Sequence, residues 1–182
     1  LLALVPKTYL PNYGEFYEKR WFEPGAPADR LFFFCGQETF FGPDVIFACE
    51  SMPGLILGVE LCEDLWASTP PSVALAEAGA TVLLNLSASN EVVGKSGYVY
   101  ADAGEGESTT DLVFTGHNMI AENGALLAER RFACGLTVSE LDVEKLCYER
   151  RRLTTFRSDT GGRVMELSFA LEPATTTLTR YI

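Results

Sequence analysis

The sequence predicts an α/β protein with a mixed or layered sheet, and three features lead to this prediction. Apolar runs at 1–6, 55–62 and 81–86 have the length and continuity of buried strands. A segment with Pro near its start and Gly at its end, 70–79, has the signals of a helix and lies between two of these runs. Strands that alternate with a helix in this way are typical of α/β folds.

The remaining elements follow from local signals along the chain. Residues 7–29 are rich in Pro, Gly, aromatic and charged residues, which predicts a long irregular loop of the kind that often carries function. The dipeptide Asn123-Gly124 lies between two apolar runs and predicts a β-hairpin within 112–130. A short helix is predicted near 141–151, where Ser139 and Asp142 are spaced like a capping box. Further short strands are predicted at 30–35, 39–42, 44–49, 163–169 and 175–182.

Composition and charge exclude several classes of protein. The chain has 182 residues, 14 basic and 25 acidic, and a net charge of −11. This balance argues against a surface for nucleic acid or anionic membrane, because both need a basic patch. No apolar run reaches the roughly 18–20 residues of a membrane helix, and the apolar run 1–6 lacks the features of a signal peptide. We therefore expect one globular domain in the cytoplasm, without nucleic-acid or membrane partners.

The cysteines and the single histidine limit the chemistry that is available. Five cysteines are spread along the chain without a CxxC pair, so neither a zinc ribbon nor a thioredoxin-type site is indicated. Most of them lie in apolar runs, which predicts buried free thiols in a reducing compartment. His117 is the only histidine, so a site with several His ligands is excluded and we expect no metal. We interpret His117 as structural.

Chemistry-bearing side chains follow three of the predicted buried strands. Lys7 follows the first, Cys62 with Glu63 and Asp64 ends the second, and Ser89 lies just after the third. Ligands of open α/β sheets bind at the carboxyl ends of strands, so these side chains are predicted to share one crevice. A cysteine thiolate beside a lysine and a carboxylate suits acyl transfer, as in amide or nitrile hydrolysis.

Each of these residues also has a purely structural interpretation. A cysteine that ends a hydrophobic strand is usually a small buried apolar residue. Lys7 is also typical of a solvated loop cation, and Glu63 and Asp64 of surface charge near a helix. Ser89 fits a turn or an N-cap equally well. The residues alone leave both interpretations open.

Four segments are distinctive in combination: KTYLPNYGEFYEKRWF, GVELCEDLW, NLSASNEVVGK and ESTTDLVFTGHNMIAENG. Together they resemble the glutamine amidohydrolase domain of glutamine-dependent NAD synthetases, a branch of the nitrilase superfamily, and the resemblance extends over 1–182. It implies a four-layer αββα sandwich, with two sheets face to face and helices outside. It implies that Cys62 is the nucleophile, that Lys7 is the catalytic lysine, and that Glu18 supports the lysine and the substrate. The glutamine pocket is then implied for Tyr13, Phe16, Glu63 and Ser89.

The resemblance also implies an activity and its partners. The domain is expected to hydrolyse the side-chain amide of glutamine through a Cys thioester and to supply ammonia for ATP-dependent NAD synthesis. No cofactor is expected for this step, and ATP and Mg are expected only for a synthetase module that accepts the ammonia in cis or in trans. A homo-oligomer is expected. Two alternatives stay open: a stand-alone nitrilase-like amidase for another amide, and a non-catalytic nitrilase-fold interaction domain.

Compared with the family pattern, the sequence departs in two places. The family's catalytic glutamate lies upstream of the lysine strand, so we expect 1–182 to be a glutaminase domain that lacks its N-terminal part. Lys95 is joined directly to Ser96 where the family has a basic, helix-forming segment, so a second missing segment is expected between these residues. The absent glutamate favours the non-catalytic alternative, whereas the intact lysine, cysteine and pocket motifs favour the enzyme.

Overall fold

A computed structural model of the chain describes residues 1–13, 16–25, 30–88, 97–104, 114, 116–153, 164–174 and 177–178. Within these ranges the strands form a three-stranded sheet and a seven-stranded sheet. Two α-helices and two short 3₁₀ helices accompany them. The predicted α/β class is therefore confirmed at the level of a mixed fold with two sheets.

The three-stranded sheet positions the start of the chain. Its strands are β1 (Ala3–Leu4), β2 (Arg30–Phe34) and β3 (Gln37–Phe41), in the order β1-β3-β2. β1 runs parallel to β3, and β2 pairs antiparallel with β3. The predicted strand 1–6 is thus confirmed but shorter, and the chain leaves the sheet three residues before Lys7.

The seven-stranded sheet mixes parallel and antiparallel pairs. Its strands are β4 (Val45–Cys49), β5 (Ile56–Leu61), β6 (Val82–Ser87), β7 (Gly97–Asp102), β8 (Asn118–Glu122), β9 (Ala125–Arg130) and β10 (Met165–Phe169). Their order is β10-β4-β5-β6-β7-β8-β9. The central strands β5, β6 and β7 are parallel neighbours. Helix α1 (Pro71–Ala78) connects β5 to β6, as the alternating pattern predicts.

The core lies between α1 and the seven-stranded sheet. Leu75 of α1 is 1% exposed and packs in a cluster with Ile46 of β4 and Leu83 of β6. Gly58 of β5 lies under α1: an added Cβ would meet Leu75 Cβ at 3.1 Å and Leu83 Cδ2 at 3.0 Å. The absence of a side chain at this position therefore lets the helix pack closely on the strand.

Two further predictions concern the second half of the chain. The hairpin at Asn123-Gly124 is confirmed, since β8 and β9 flank this turn and both turn residues have positive φ. The predicted helix corresponds to α2 (Val143–Arg152). The capping box from Ser139 is wrong, because Asp142 is itself the N-cap and accepts a hydrogen bond from the Lys145 N–H at 2.9 Å.

The prediction of buried thiols is only partly correct. All five cysteines are free, and Cys49 and Cys62 are buried. Cys35 and Cys134 are exposed, so burial is wrong for them. Cys35 lies in the β2–β3 turn with φ +50°, a tight hairpin turn whose side chains point to solvent.

The last predicted strand, 175–182, has only residues 177–178 within the described ranges, and these are not in a strand. The expected break between Lys95 and Ser96 lies outside the described residues. No helix in the described ranges is long and apolar enough to cross a membrane.

Candidate active site

Cys62 occupies a sharp turn at the end of a central strand. β5 ends at Leu61, and Cys62 begins a 3₁₀ helix that extends to Trp66. The backbone of Cys62 has φ +50°, in the left-handed region, and its side chain is buried. A residue with a Cβ pays about 1–2 kcal/mol in this conformation, and such strain is concentrated at functional sites. Cys62 thus combines a buried side chain with a left-handed backbone at the end of a central strand.

The carboxylate of Asp64 joins this turn to the segment after β1. Its Oδ1 accepts hydrogen bonds from the backbone N–H groups of Thr8, at 3.0 Å, and Tyr9, at 2.7 Å. Its Oδ2 accepts a hydrogen bond from the Leu61 N–H at 3.1 Å. Burial raises the pKa of Asp64, and the three N–H groups oppose this shift. One buried side chain thus connects the residue before Cys62 with the two residues after Lys7.

Lys7 and Glu18 form an ion pair across the irregular loop. Nζ of Lys7 lies 2.8 Å from Oε1 and 2.7 Å from Oε2 of Glu18, and both side chains are largely shielded from solvent. The Lys7 carbonyl accepts a hydrogen bond from the Gly25 N–H at 2.7 Å. Glu18 begins a 3₁₀ helix, Glu18–Arg20, and its N–H donates to the Pro11 carbonyl at 3.2 Å. The loop therefore holds the lysine cation against a carboxylate.

Three predicted pocket residues also lie together. The hydroxyl of Tyr13 is 2.9 Å from both carboxylate oxygens of Glu63, which directly follows Cys62. The rings of Tyr13 and Phe16 meet edge to face, with centroids 5.9 Å apart. Glu63 also lines an open cavity of about 250 Å³, whose other lining residues are Thr8, Tyr9, Leu10, Lys19, Pro24, Trp66 and Ala67. A carboxylate and aromatic surfaces thus lie near the Cys62 turn.

The structure connects five of the seven predicted site residues through two sets of contacts, and the sixth, Cys62, directly precedes Glu63 in the chain. Lys7 with Glu18 forms one set, and Tyr13 with Phe16 and Glu63 forms the other. Asp64 joins the Lys7 segment to the turn that carries Cys62 and Glu63. Ser89 lies outside the described residues. The chemical roles of all seven stay predictions.

Sequence reasoning missed the importance of Asp64. The sequence places Asp64 two residues after Cys62 and is equally compatible with surface charge, whereas the structure leaves Asp64 only 1% exposed. One signal was available: an acidic residue at the third position of a helix commonly reaches back to the backbone N–H that precedes the helix. The bond to Leu61 fits that signal, but the bonds to Thr8 and Tyr9 have no sequence signature.

A second buried carboxylate, Glu60, lies behind the turn. It accepts hydrogen bonds from the Ser72 N–H at 3.1 Å, from Asn85 Nδ2 at 3.3 Å and from the Tyr98 hydroxyl at 3.1 Å. Burial and the negative charge of Glu60 raise the pKa of Tyr98 far above its usual range, so its hydroxyl stays protonated and donates. These bonds fix the first turn of α1 to three neighbouring strands and stiffen the support of the Cys62 turn.

The buried His117 precedes β8. Its Nε2 lies 2.9 Å from Oε1 of Glu129 on β9. This contact joins the two ends of the hairpin and agrees with the structural interpretation of His117. Among the described residues, no three His, Cys, Asp or Glu side chains are grouped as metal ligands.

Comparison with known proteins relates this geometry to a family. No family model matches the chain. The glutamine-dependent NAD(+) synthetase of Mycobacterium tuberculosis H37Rv is 44% identical over 199 residues, which covers 95% of this chain and 29% of the relative. The enzyme of the same name from Mycobacterium leprae is 44% identical over 178 residues, with 87% of this chain and 26% of the relative covered.

The chain is a homologue of the glutamine-dependent NAD(+) synthetases. It spans less than a third of the length of these two relatives. The NAD synthetase relationship extends to solved structures. The glutamine-dependent NAD(+) synthetase of Cytophaga hutchinsonii superposes with a TM-score of 0.56 at 26% identity, covering 84% of this chain and 28% of that one. The enzyme from Acinetobacter baumannii, solved with adenosine diphosphate, superposes with a TM-score of 0.53 at 25% identity, covering 77% of this chain and 26% of that one.

Proposed function

We propose that this chain forms the glutaminase part of a glutamine-dependent NAD synthetase, with the nitrilase-like αββα sandwich and the carbon–nitrogen hydrolase activity that the resemblance implies. The observation that carries the proposal is the strained Cys62 turn, which the Asp64 carboxylate joins to the segment after Lys7. The NAD synthetase relatives at 44% identity support the same assignment.

In the proposed reaction, Sγ of Cys62 attacks the side-chain amide carbon of glutamine. The C–N bond breaks, ammonia leaves with the proton it needs, and a γ-glutamyl thioester forms on Cys62. Water then cleaves the thioester to give glutamate and the free thiol. Proton transfer needs a general base that then acts as general acid, and the resemblance implies a glutamate in this role.

The residues around Cys62 have distinct proposed roles. Lys7 stabilises the negative oxygen of the tetrahedral intermediate, together with the backbone N–H of Glu63. Glu18 orients the ammonium of Lys7, since its Oε2 lies 2.7 Å from Nζ of Lys7. The Glu63 carboxylate binds the α-ammonium of glutamine, while Tyr13 and Phe16 pack on its aliphatic stem. Ser89 is proposed as a further pocket hydroxyl.

The fate of the product follows from the chemistry. Free ammonia is largely protonated in neutral water to ammonium, which is not a nucleophile. A synthetase module, in cis or in trans, is therefore proposed to consume the ammonia with ATP and Mg. The homo-oligomer expected from the resemblance stays a prediction.

A trapping experiment tests the proposal. The natural protein that contains this sequence is incubated with glutamine and hydroxylamine, and both ammonia and γ-glutamyl hydroxamate are measured. We expect both products from the unsubstituted protein and from Cys134→Ala, which removes an exposed thiol, and neither from Cys62→Ala. Ammonia release that survives Cys62→Ala would contradict the proposal. Release of ammonia from other amides but not from glutamine would favour the stand-alone amidase.

A further inference from the structure

We infer that Asp64 is a positioning residue for the proposed reaction, whose carboxylate sets the distance between the Lys7 ammonium and the Cys62 thiol. This inference rests on the proposed glutaminase function. It assigns a role to a buried side chain that contacts neither the Lys7 ammonium nor a substrate atom in that mechanism.

The two oxygens bind residues adjacent to the two reacting side chains. Oδ1 accepts from Thr8 and Tyr9, the two residues that follow Lys7. Oδ2 accepts from Leu61, the residue that precedes Cys62. A single rigid carboxylate group therefore holds the backbone on both sides of the proposed site.

The contacts of Asp64 exceed what a local helix cap requires. A cap needs only the bond to Leu61, three residues away. The bonds from Thr8 and Tyr9 connect Asp64 to residues that lie 56 and 55 positions earlier in the sequence. Both donors lie outside regular secondary structure, so no sheet ladder holds this segment in place. Besides these bonds, the Gly25 N–H binds the Lys7 carbonyl.

Burial makes this arrangement selective for an aspartate. Asp64 is 1% exposed, and a buried carboxylate is tolerated only when its oxygens accept strong hydrogen bonds. An asparagine of the same shape has one acceptor oxygen and one NH₂ group. In either orientation of the asparagine, its NH₂ group faces a backbone N–H group and cannot accept a hydrogen bond from it. Either the bonds from Thr8 and Tyr9 or the bond from Leu61 is therefore lost.

Small displacements at such a site have large kinetic effects. A misplacement of 1 Å can cost about 100-fold in rate while the binding groups stay intact. We therefore expect Asp64→Asn to lower kcat for glutamine about 100-fold with KM changed less than about threefold. Asp142→Asn is the matched control, because Asp142 also accepts a backbone N–H bond, from Lys145 at the start of α2. Asp142→Asn should leave kcat unchanged when the two variants are compared at a similar fraction of folded protein.

A second measurement separates this inference from the proposed function. The rate at which iodoacetamide alkylates Cys62 is followed by mass spectrometry in the full chain, without glutamine. If Asp64 acts on the thiol only by placing Lys7, then Lys7→Ala and Asp64→Asn should each change the alkylation rate, and the double variant should react at the rate of Lys7→Ala. Additive effects would overturn the inference, even if glutamine hydrolysis proves correct. If the protein does not hydrolyse glutamine but the two substitutions have non-additive effects on the alkylation rate, only the proposed reaction is overturned.

The unsubstituted protein offers a test that does not depend on a variant's folding. Hydrogen exchange of the Thr8 and Tyr9 amides should be slow, because both are bound to a buried carboxylate although neither lies in a sheet. Exchange as fast as in a free loop would overturn the inference. A kcat of Asp64→Asn within about threefold of the unsubstituted value, or an equal loss in Asp142→Asn, would overturn it as well.

Discussion

Nζ of Lys7 lies within hydrogen-bond distance of both carboxylate oxygens of Glu18, at 2.8 and 2.7 Å. The pair joins the segment after β1 to a 3₁₀ helix eleven positions further along the chain. Because the ammonium is shared with a carboxylate, its direction is set by the loop and not by solvent. The described parts of this loop, 7–13 and 16–25, are therefore part of the proposed catalytic apparatus.

The first prediction concerns this ion pair. Glu18→Gln removes the charge and leaves one acceptor, so Lys7 is held less firmly. We expect kcat for glutamine to fall about tenfold, since a hydrogen bond to a charged group contributes about 1.5 kcal/mol. The free energy of unfolding should fall by about 1 kcal/mol or less, because the pair is only partly buried.

The matched control for Glu18→Gln is Glu149→Gln. It breaks another carboxylate–cation pair, with Arg152 at 2.9 Å on α2, away from the proposed site. Ammonia release should then be unchanged. Equal kinetic losses in both variants would contradict a specific role for Glu18.

The second prediction concerns substrate binding. Tyr13→Phe removes the hydroxyl that lies 2.9 Å from both oxygens of Glu63 but keeps the ring that contacts Phe16. We expect KM for glutamine to rise about tenfold with kcat nearly unchanged, because the Glu63 carboxylate loses its orientation and a charge-assisted bond. Tyr148→Phe, at a similarly exposed tyrosine on α2, is the control. An unaltered KM in Tyr13→Phe would count against this pocket.

The third prediction concerns strain at Cys62. Its φ of +50° is unfavourable for any residue with a Cβ but not for glycine. We expect Cys62→Gly to be more stable than Cys62→Ala by about 1 kcal/mol, as measured by urea unfolding. At Ala67, where φ is −61°, the change Ala67→Gly should lower stability or leave it unchanged. Equal stabilities of the two Cys62 variants would mean that the turn stores no strain.

Local features of the chain were predictable from the sequence, and long-range ones were not. The hairpin at Asn123-Gly124 follows from two residues that tolerate positive φ, and α1 follows from its terminal Pro and Gly. The burial of Asp64 depends on Thr8 and Tyr9, more than fifty positions away. An acidic residue after a strand has the same local sequence whether it is solvated or buried. Tertiary contacts decide between the two, and only the structure contains them.

The fourth prediction tests the packing of α1 on β5. Gly58→Ala would place a Cβ 3.0 Å from Leu83 Cδ2, 3.1 Å from Leu75 Cβ and 3.2 Å from Ala80 Cβ. Because these neighbours are buried, the helix must shift, and we expect a loss of about 1–3 kcal/mol in the free energy of unfolding. Gly104→Ala is the control, since the nearest atom of the described residues to its added Cβ is 3.8 Å away. A neutral Gly58→Ala would mean that α1 is loosely packed.

The last prediction concerns the pH dependence of stability at Asp64. Burial raises the pKa of this carboxyl in the folded protein above the ordinary value of 3.8. A raised pKa means that the folded state binds the proton more tightly than the unfolded state. The contribution of this group to stability is therefore fully present below the unfolded pKa, and it is lost as the pH rises through the folded pKa.

Urea unfolding of the unsubstituted chain and of Asp64→Asn, from about pH 3 to about pH 7, measures this contribution. Asparagine does not titrate, so the difference in unfolding free energy between the two proteins isolates the carboxyl. We expect the unsubstituted chain to lose stability relative to Asp64→Asn as the pH rises from below 3.8, until the difference becomes constant above the folded pKa. A difference that grows in favour of the unsubstituted chain with rising pH would mean that the three N–H bonds outweigh burial. In that case the folded-state pKa of Asp64 would be lowered.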